Sequence, residues 1–138
     1  MMRNALFAAI PLLGIFLAAQ LPAPAQDPAP VYELRIYTTF EGKLPALLAR
    51  FSNHTLKIFE KHGMENVGYW VPADAPRSQD TLYYILRHKS RDAAAASWAA
   101  FREDPDWIKA RKDSEAAGKI VERVDSVFLS PADFSKLK

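Results

Sequence analysis

Three side chains that can do chemistry alternate along a predicted strand. Glu33, Arg35 and Tyr37 occupy every second position of the segment VYELRIYT, so a strand over residues 31–38 places them on one face. A carboxylate, a guanidinium and a phenol side by side could bind an anionic or enol-like ligand, with the Arg35 fork contacting a carboxylate or phosphate. The alternative interpretation of the same residues is an ion-pair network between subunits that fixes the register of a dimer.

Histidine is the other residue type that could move a proton near neutral pH. His54 lies at the edge of the apolar face of a predicted helix, where it could face a pocket and act as a general acid or base. Tyr37 is the second candidate proton carrier. His62 is expected to cap the end of that helix, and His88 is expected to be solvated at the end of a strand. No pair of histidines has zinc-like spacing with a carboxylate, so neither a metal site nor a cofactor is predicted.

Aromatic residues are unusually numerous for so short a chain, with 8 Phe, 5 Tyr and 3 Trp. Most of them must pack in the core or at an interface. A planar organic ligand would nevertheless use a pocket of such rings with a few polar groups. The predicted ligand-binding set is therefore Glu33, Arg35, Tyr37, His54, Tyr69, Trp70 and Trp98.

A long amphipathic helix over residues 43–62 would position several of these groups. Pro45 suits its first turn and Gly63 its end. Its apolar face, at about 100° per residue, comprises Leu44, Leu47, Leu48, Phe51, Thr55, Ile58, Phe59 and His62. Arg50 and Lys57 fall on the opposite, polar face.

Strands alternate with helices along the rest of the chain. Further strands are predicted over residues 64–71, 81–88 and 120–129. Helices are predicted over residues 91–101 and 105–117, with Ser90 and Asp104 as their N-caps. Gly68, inside the second strand, indicates a bulge or a close approach to the backbone.

The order strand, helix, strand, strand, helix, strand predicts the ferredoxin-like α+β fold, a four-stranded antiparallel sheet with its helices on one face. Glu33, Arg35 and Tyr37 are expected to point away from the helices. The exposed patch on that far side, comprising Tyr37, Tyr69, Ile85 and Val127, would be large unless a second copy covered it. The sequence therefore predicts a homodimer that packs sheet against sheet.

The first 25 residues are predicted to be a signal peptide. Arg3 supplies a positive start, residues 5–21 an apolar run, and residues 23–25 (Ala-Pro-Ala) a small-x-small cleavage site. Pro11 and Gly14 interrupt the apolar run, which disfavours a retained membrane anchor, so no membrane span is expected after cleavage. The predicted location is the periplasm or the outside of the cell.

The remainder is predicted to be an extended tether over residues 26–30 and one folded domain over residues 31–138. The 18 basic and 16 acidic residues give a net charge of +2 and are interleaved, so no nucleic-acid partner is predicted. The chain contains no cysteine, which excludes disulfides and thiolate chemistry.

Four segments of the chain resemble the NIPSNAP family: ELRIYT, HTLKIFEKHGMENVGYWVP, HKSRDAAAASWAAFREDPDW and VDSVFLSPADFS. Together they extend from Tyr32 to Ser135. The resemblance implies a dimeric α+β barrel, in which two ferredoxin-like sheets form a barrel with helices outside. The wider superfamily includes cofactor-free monooxygenases, muconolactone isomerase, haem-containing chlorite dismutases and proteins with no established reaction. The fold alone therefore does not fix a function.

Three functions are consistent with these observations. The first is a module that binds a small organic ligand in a pocket between the long helix and the sheet. The second is a cofactor-independent enzyme of monooxygenase or isomerase type, which uses the same pocket with His54 or Tyr37 as proton carrier. The third is a structural dimerisation domain that recruits other proteins. A histidine facing a well-formed cavity would favour the second over the first, and a pocket too small for an organic molecule would favour the third.

Overall fold

The computed structural model describes residues 28–137. The strands are β1 (Val31–Thr39), β2 (Glu65–Trp70), β3 (Thr81–His88) and β4 (Val121–Leu129). The helices are α1 (Leu44–Arg50), α2 (Leu56–Lys61), α3 (Arg91–Glu103) and α4 (Pro105–Ser114). The predicted signal peptide over residues 1–25 lies outside the described residues. Within residues 28–137, no helix has both the length and the apolar character needed to cross a membrane.

The four strands form one antiparallel sheet in the order β2-β3-β1-β4. Arg35 at the middle of β1 lies opposite Tyr84 on β3 and opposite Ser126 on β4, so β1 and β3 are central and β4 is an edge strand. This is the arrangement of a ferredoxin-like α+β fold, as the order of elements predicts. The helices lie on one face of the sheet, and we call the other face the open face.

α1 and α2 are the two ends of one continuous helix over residues 44–61, the long helix. A π-helical turn, Phe51–Thr55, joins them. The N–H of Leu56 donates to the carbonyl of Phe51, and the Thr55 hydroxyl donates to the carbonyl of Arg50 at 3.2 Å. The apolar pattern does not predict this wider turn. Beside it Leu48, expected on the buried face, is 37% exposed.

The core between the long helix and the sheet is built around the Phe51 ring. Its neighbours are Tyr37, Phe59, Tyr69 and Tyr84, at centroid distances of 5.8, 6.1, 5.6 and 5.1 Å. Edge-to-face contacts of this kind stabilise beyond the area they bury. Side chains therefore fill this part of the layer in which the sequence predicts a ligand pocket.

Glu33, Arg35 and Tyr37 face the helices, so the prediction that they point away from them is wrong. Tyr37 contacts Phe51 of the long helix, and the carboxylate of Glu33 accepts a hydrogen bond from Trp98 of α3. Alternation along a strand reveals which residues share a face but not which face the helices cover. Here the polar face is buried because other elements supply its hydrogen-bond partners.

Tyr69 also lies on the helix side, where it stacks on Tyr84 with ring centroids 5.3 Å apart. Ile85 and Val127, both opposite Leu34 on β1, lie on the open face as expected.

Asp104 connects the end of the long helix to the start of α4. As the N-cap of α4 it accepts a hydrogen bond from the N–H of Asp106 at 2.8 Å, as predicted. Its other carboxylate oxygen lies 2.8 Å from Lys61 Nζ and 2.6 Å from His62 Nε2, so the His62 ring at the helix end is satisfied. Hydrogen bonds from Lys61 and His62 hold the pKa of Asp104 well below its usual value.

Replacing Asp104 by alanine is therefore expected to lower the melting temperature, because one substitution removes a helix cap and two ionic contacts. The matched control is Asp106→Ala, two residues further along and solvent-exposed, which loses a 3.3 Å side-chain contact to Lys61. Thermal unfolding followed by circular dichroism compares the two variants. Equal melting temperatures would contradict the role assigned to Asp104.

Candidate functional site

Four elements of the fold meet at the carboxylate of Glu33. Arg35 Nη1 and Ser126 Oγ donate to its Oε1 at 2.8 and 2.7 Å. Trp98 Nε1 and His88 Nε2 donate to its Oε2 at 2.7 and 2.9 Å. We call these five residues the Glu33 cluster. Because Glu33 is 1% exposed, these donors replace the water that the carboxylate loses on folding.

The Glu33 carboxylate is ionised at neutral pH. Burial acts to raise its pKa, but the hydrogen bonds from His88, Trp98, Arg35 and Ser126 outweigh burial and lower the pKa from 4.5 to about 2. A carboxylate in this state has no proton to give to a ligand. The geometry therefore favours the structural interpretation of Glu33, although here the network lies within one chain.

His88 belongs to this cluster, so the expectation that it is solvated is wrong. It is 1% exposed, and its Nδ1 has no hydrogen-bond partner among the described residues. The end of a strand is usually solvent-exposed, but α3 begins three residues later, and its Trp98 meets His88 at the same Glu33 oxygen. No pattern in the sequence around His88 indicates that its side chain is buried.

Arg35 lies between two aromatic rings. Its guanidinium carbon is 4.2 Å from the centroid of Trp98 and 5.6 Å from that of Tyr37, which are cation–π distances. Burial acts to lower its pKa, but the neighbouring Tyr84 and Tyr37 phenols and the Glu33 carboxylate raise it above the usual value. Arg35 is therefore a fixed positive charge beside Tyr37.

A cleft opens between the helices and the β4 edge of the sheet, with a volume of about 320 Å³. We call it the interlayer cleft. Its aromatic and aliphatic lining consists of Tyr37, Trp107, Val121 and Val124. Its charged lining consists of Arg50, Arg111, Lys119, Arg123, Glu115 and Glu122. The cleft lies beside the middle of β4, where residues 122–127 are exposed.

Arg50 is one of the cleft residues that the sequence analysis missed. Its side chain is 3% exposed, although the apolar pattern assigns it to the polar face of the long helix. Nη1 donates to Ser114 Oγ and to Glu115 Oε1, both at 3.2 Å, and the guanidinium lies 5.2 Å from the Trp107 centroid. Arg50 immediately precedes the π-helical turn, and its burial depends on α4, so no local pattern marks it.

His54 lies outside the interlayer cleft. It is exposed on the π-helical turn, in a separate groove of about 280 Å³. We call it the helix groove. Its lining includes Asn53, Lys57, Lys109 and Asp113. The two candidate proton carriers, His54 and Tyr37, therefore do not share a cavity. Among residues 28–137, no group of three or more His, Cys, Asp or Glu side chains is arranged to hold a metal ion.

Tyr69 and Trp70 point to opposite faces of β2. Tyr69 is part of the core, where burial raises the pKa of its hydroxyl. Trp70 is 52% exposed, and its ring covers Gly68 so closely that a Cβ there would lie 2.5 Å from a ring carbon. The register of β2 also shifts between Asn66 and Gly68, which confirms the predicted bulge and close approach.

The strands and helices define a ferredoxin-like α+β domain with a cleft between its helices and its sheet. The chain matches the NIPSNAP family over residues 32–136, and it belongs to that family. It is 26% identical to a NIPSNAP family protein of unknown function from Agrobacterium tumefaciens, with a TM-score of 0.68 and coverage of 80% of this chain and 95% of that one. The NIPSNAP family and the ferredoxin-like α+β fold of the single chain, both predicted from the sequence, are thereby confirmed.

More distant structures share the fold alone. A NIPSNAP-like domain protein from Burkholderia xenovorans is 17% identical, with a TM-score of 0.66 over 77% of this chain and 88% of that one. A monooxygenase from the gene ActVA-Orf6 of Streptomyces coelicolor, in complex with nanaomycin D, is 13% identical, with a TM-score of 0.55 over 80% of this chain and 94% of that one. None of the curated proteins matches the chain.

Proposed function

We propose that the protein binds a small planar organic molecule in the interlayer cleft. The observation that carries this proposal is a cavity of about 320 Å³ with the rings of Tyr37 and Trp107 in its lining. Ligand pockets span about 300–1,000 Å³ and combine apolar walls with a few polar groups, so this cleft suits a ligand of about two fused rings. Tyr37 is the one residue of the predicted ligand-binding set that lines it.

Native mass spectrometry of protein purified gently from its own compartment tests this proposal. A reproducible added mass is expected on the wild type. Val124→Trp should remove it, because the larger side chain fills the cleft. Ile108→Trp is the matched control, since Ile108 is exposed on α4 outside the cleft and that variant should keep its ligand. Protein that carries no added mass in any variant would favour the alternative of a protein-recruitment domain.

A second candidate function is a cofactor-independent enzyme of monooxygenase or isomerase type. The fold shared with a monooxygenase that binds nanaomycin D supports it, together with the position of Tyr37 in the cleft. Tyr37 would then carry the proton, with the Arg35 charge beside it. Turnover of the bound compound should be lost in Tyr37→Phe and kept in His54→Ala. Loss of turnover in His54→Ala alone would move the reaction to the helix groove.

The open face supports a homodimer as the working assembly. Apolar side chains are exposed at both edges of this face: Trp70 on β2 at 52%, and Val127 and Leu129 on β4 at 48% and 38%. Soluble proteins usually cover an apolar face of this kind. Val127→Glu should turn a dimer into a monomer in analytical ultracentrifugation, and Ile108→Glu should not. A wild type that sediments as a monomer would contradict the dimeric barrel.

We also propose that the protein is exported to the periplasm or to the outside of the cell. It is supported by the leader pattern of residues 1–25. The mass of the protein recovered from the periplasm tests it, because cleavage should leave Gln26 as the first residue. A full-length, membrane-bound product would instead indicate a retained anchor.

A further inference from the structure

We infer that the interlayer cleft selects organic carboxylates over neutral molecules of the same shape, and that Arg50 recognises the charge. This inference rests on the proposed function and adds the chemical class of the ligand. It begins from the charge of the lining. Four cations, Arg50, Arg111, Lys119 and Arg123, face two carboxylates, Glu115 and Glu122.

The ion pairs within the cleft do not balance that excess. Glu115 is shared, with Arg50 at 3.2 Å and Arg111 at 3.4 Å on its two oxygens. Arg123 pairs at 2.9 Å with Asp125, which is not part of the lining. The helix groove provides a contrast, because its two lysines, Lys57 and Lys109, face two carboxylates, Asp106 and Asp113. The positive excess thus distinguishes the interlayer cleft from the helix groove.

Arg50 is the cation of the cleft whose hydrogen bonds compensate least for its burial. It has lost nearly all its water, yet its hydrogen bonds to Ser114 and Glu115 both use Nη1. Its Nε has no hydrogen-bond partner among the described residues. A buried guanidinium is stabilised by a carboxylate, because charge-assisted bonds repay its desolvation. Arg50 shares the Glu115 carboxylate with Arg111, and an anionic ligand would supply a further negative partner.

The apolar lining of the cleft indicates which kind of molecule bears the carboxylate. Tyr37 and Trp107 offer ring surfaces, and Val121 and Val124 offer aliphatic ones. These surfaces favour a flat hydrocarbon body over a sugar or a nucleotide. One carboxylate on an aromatic ring system matches both the walls and the charge.

The test compares 2-naphthoate with its neutral counterpart, naphthalene-2-carboxamide, by NMR titration of the three tryptophan indole signals in ¹⁵N-labelled full-length protein. Naphthoate should shift the Trp107 signal, leave Trp70 unmoved, and bind about tenfold more tightly than the amide, a difference of about 1.4 kcal/mol. In Arg50→Met this preference should fall to less than about twofold. Lys57→Met, which removes a charge from the helix groove, is the control and should keep the full preference.

Glu115→Gln keeps the inference testable should Arg50→Met fail to fold. Removing the competing carboxylate leaves more of the Arg50 charge for the ligand, so naphthoate should bind several-fold more tightly while the amide is unaffected. Equal binding of both probes at Trp107 would overturn the inference and leave the proposed function intact. Tighter binding of 2-naphthyl phosphate would overturn the choice of carboxylate. If neither probe moves Trp107, both the inference and the proposed function fail.

Discussion

Glu33→Gln is expected to lower the free energy of unfolding by about 3–5 kcal/mol, the range for breaking a buried ion pair from one side. The glutamine side chain is nearly the same size, but it is neutral and turns one acceptor into a donor. Arg35 would then be a largely buried cation without its anion, and Trp98 or His88 would face an N–H group. Urea unfolding followed by tryptophan fluorescence measures the loss.

Glu65→Gln is the matched control. Glu65 pairs with Arg87 at 3.0 Å, but its side chain is 63% exposed, so that pair contributes little to stability. The two variants make the same chemical change in one ion pair each and differ in burial. If they lose equal stability, the Glu33 cluster does not hold the sheet and α3 together in the way described.

The Glu33 carboxylate should also make the stability of the fold depend on pH in the acid range. The pKa of Glu33 is lowered from 4.5 to about 2, so the folded state binds its proton less readily than the unfolded chain does. Its ionised form therefore stabilises the fold fully above about pH 4.5, and this contribution is lost as the pH falls from 4.5 towards 2. Urea midpoints measured across that window should fall more steeply for the wild type than for Glu33→Gln.

Phe51→Ala is expected to cost about 3–5 kcal/mol, the range for emptying a buried aromatic site. The Phe51 ring contacts four other rings, and removing it leaves a cavity between the long helix and the sheet. Cavities lined by apolar groups bind small molecules such as benzene. Benzene should therefore raise the melting temperature of the variant more than that of the wild type.

Leu48→Ala is the control for this change, because Leu48 lies on the same helix but is 37% exposed. The free energy of unfolding of this variant should fall by about 0.5 kcal/mol, as is common for surface positions, and by roughly 1 kcal/mol at most. Equal responses of the wild type and of Phe51→Ala to benzene would show that the layer around Phe51 is not filled.

The elements themselves were predictable because each carries a local periodicity. β3 has the predicted bounds, residues 81–88, and both N-caps, Ser90 and Asp104, accept the expected backbone hydrogen bonds. Alternation and helical spacing act over a few residues, so one sequence contains them in full. The order of these elements then limits the sheet to very few topologies.

The chemistry was harder to predict because its partners are distant in sequence. Glu33 depends on residues 55, 65 and 93 positions away, at His88, Trp98 and Ser126. Alternation left two choices for the face of β1, and only those partners decide between them. The burial of Arg50 likewise depends on Ser114 and Glu115, which no pattern around residue 50 reveals.

The π-helical turn at Phe51–Thr55 also bears on how this helix can vary in evolution. Such a turn holds one more residue than the α-helical turn it replaces, while the helix on either side keeps its place. A chain shorter by one residue here could close into regular α-helix with both ends still packed on the sheet. Aligned relatives are therefore expected to show single-residue gaps within residues 51–55, inside the helix, as well as in the surface loops where gaps are usually placed.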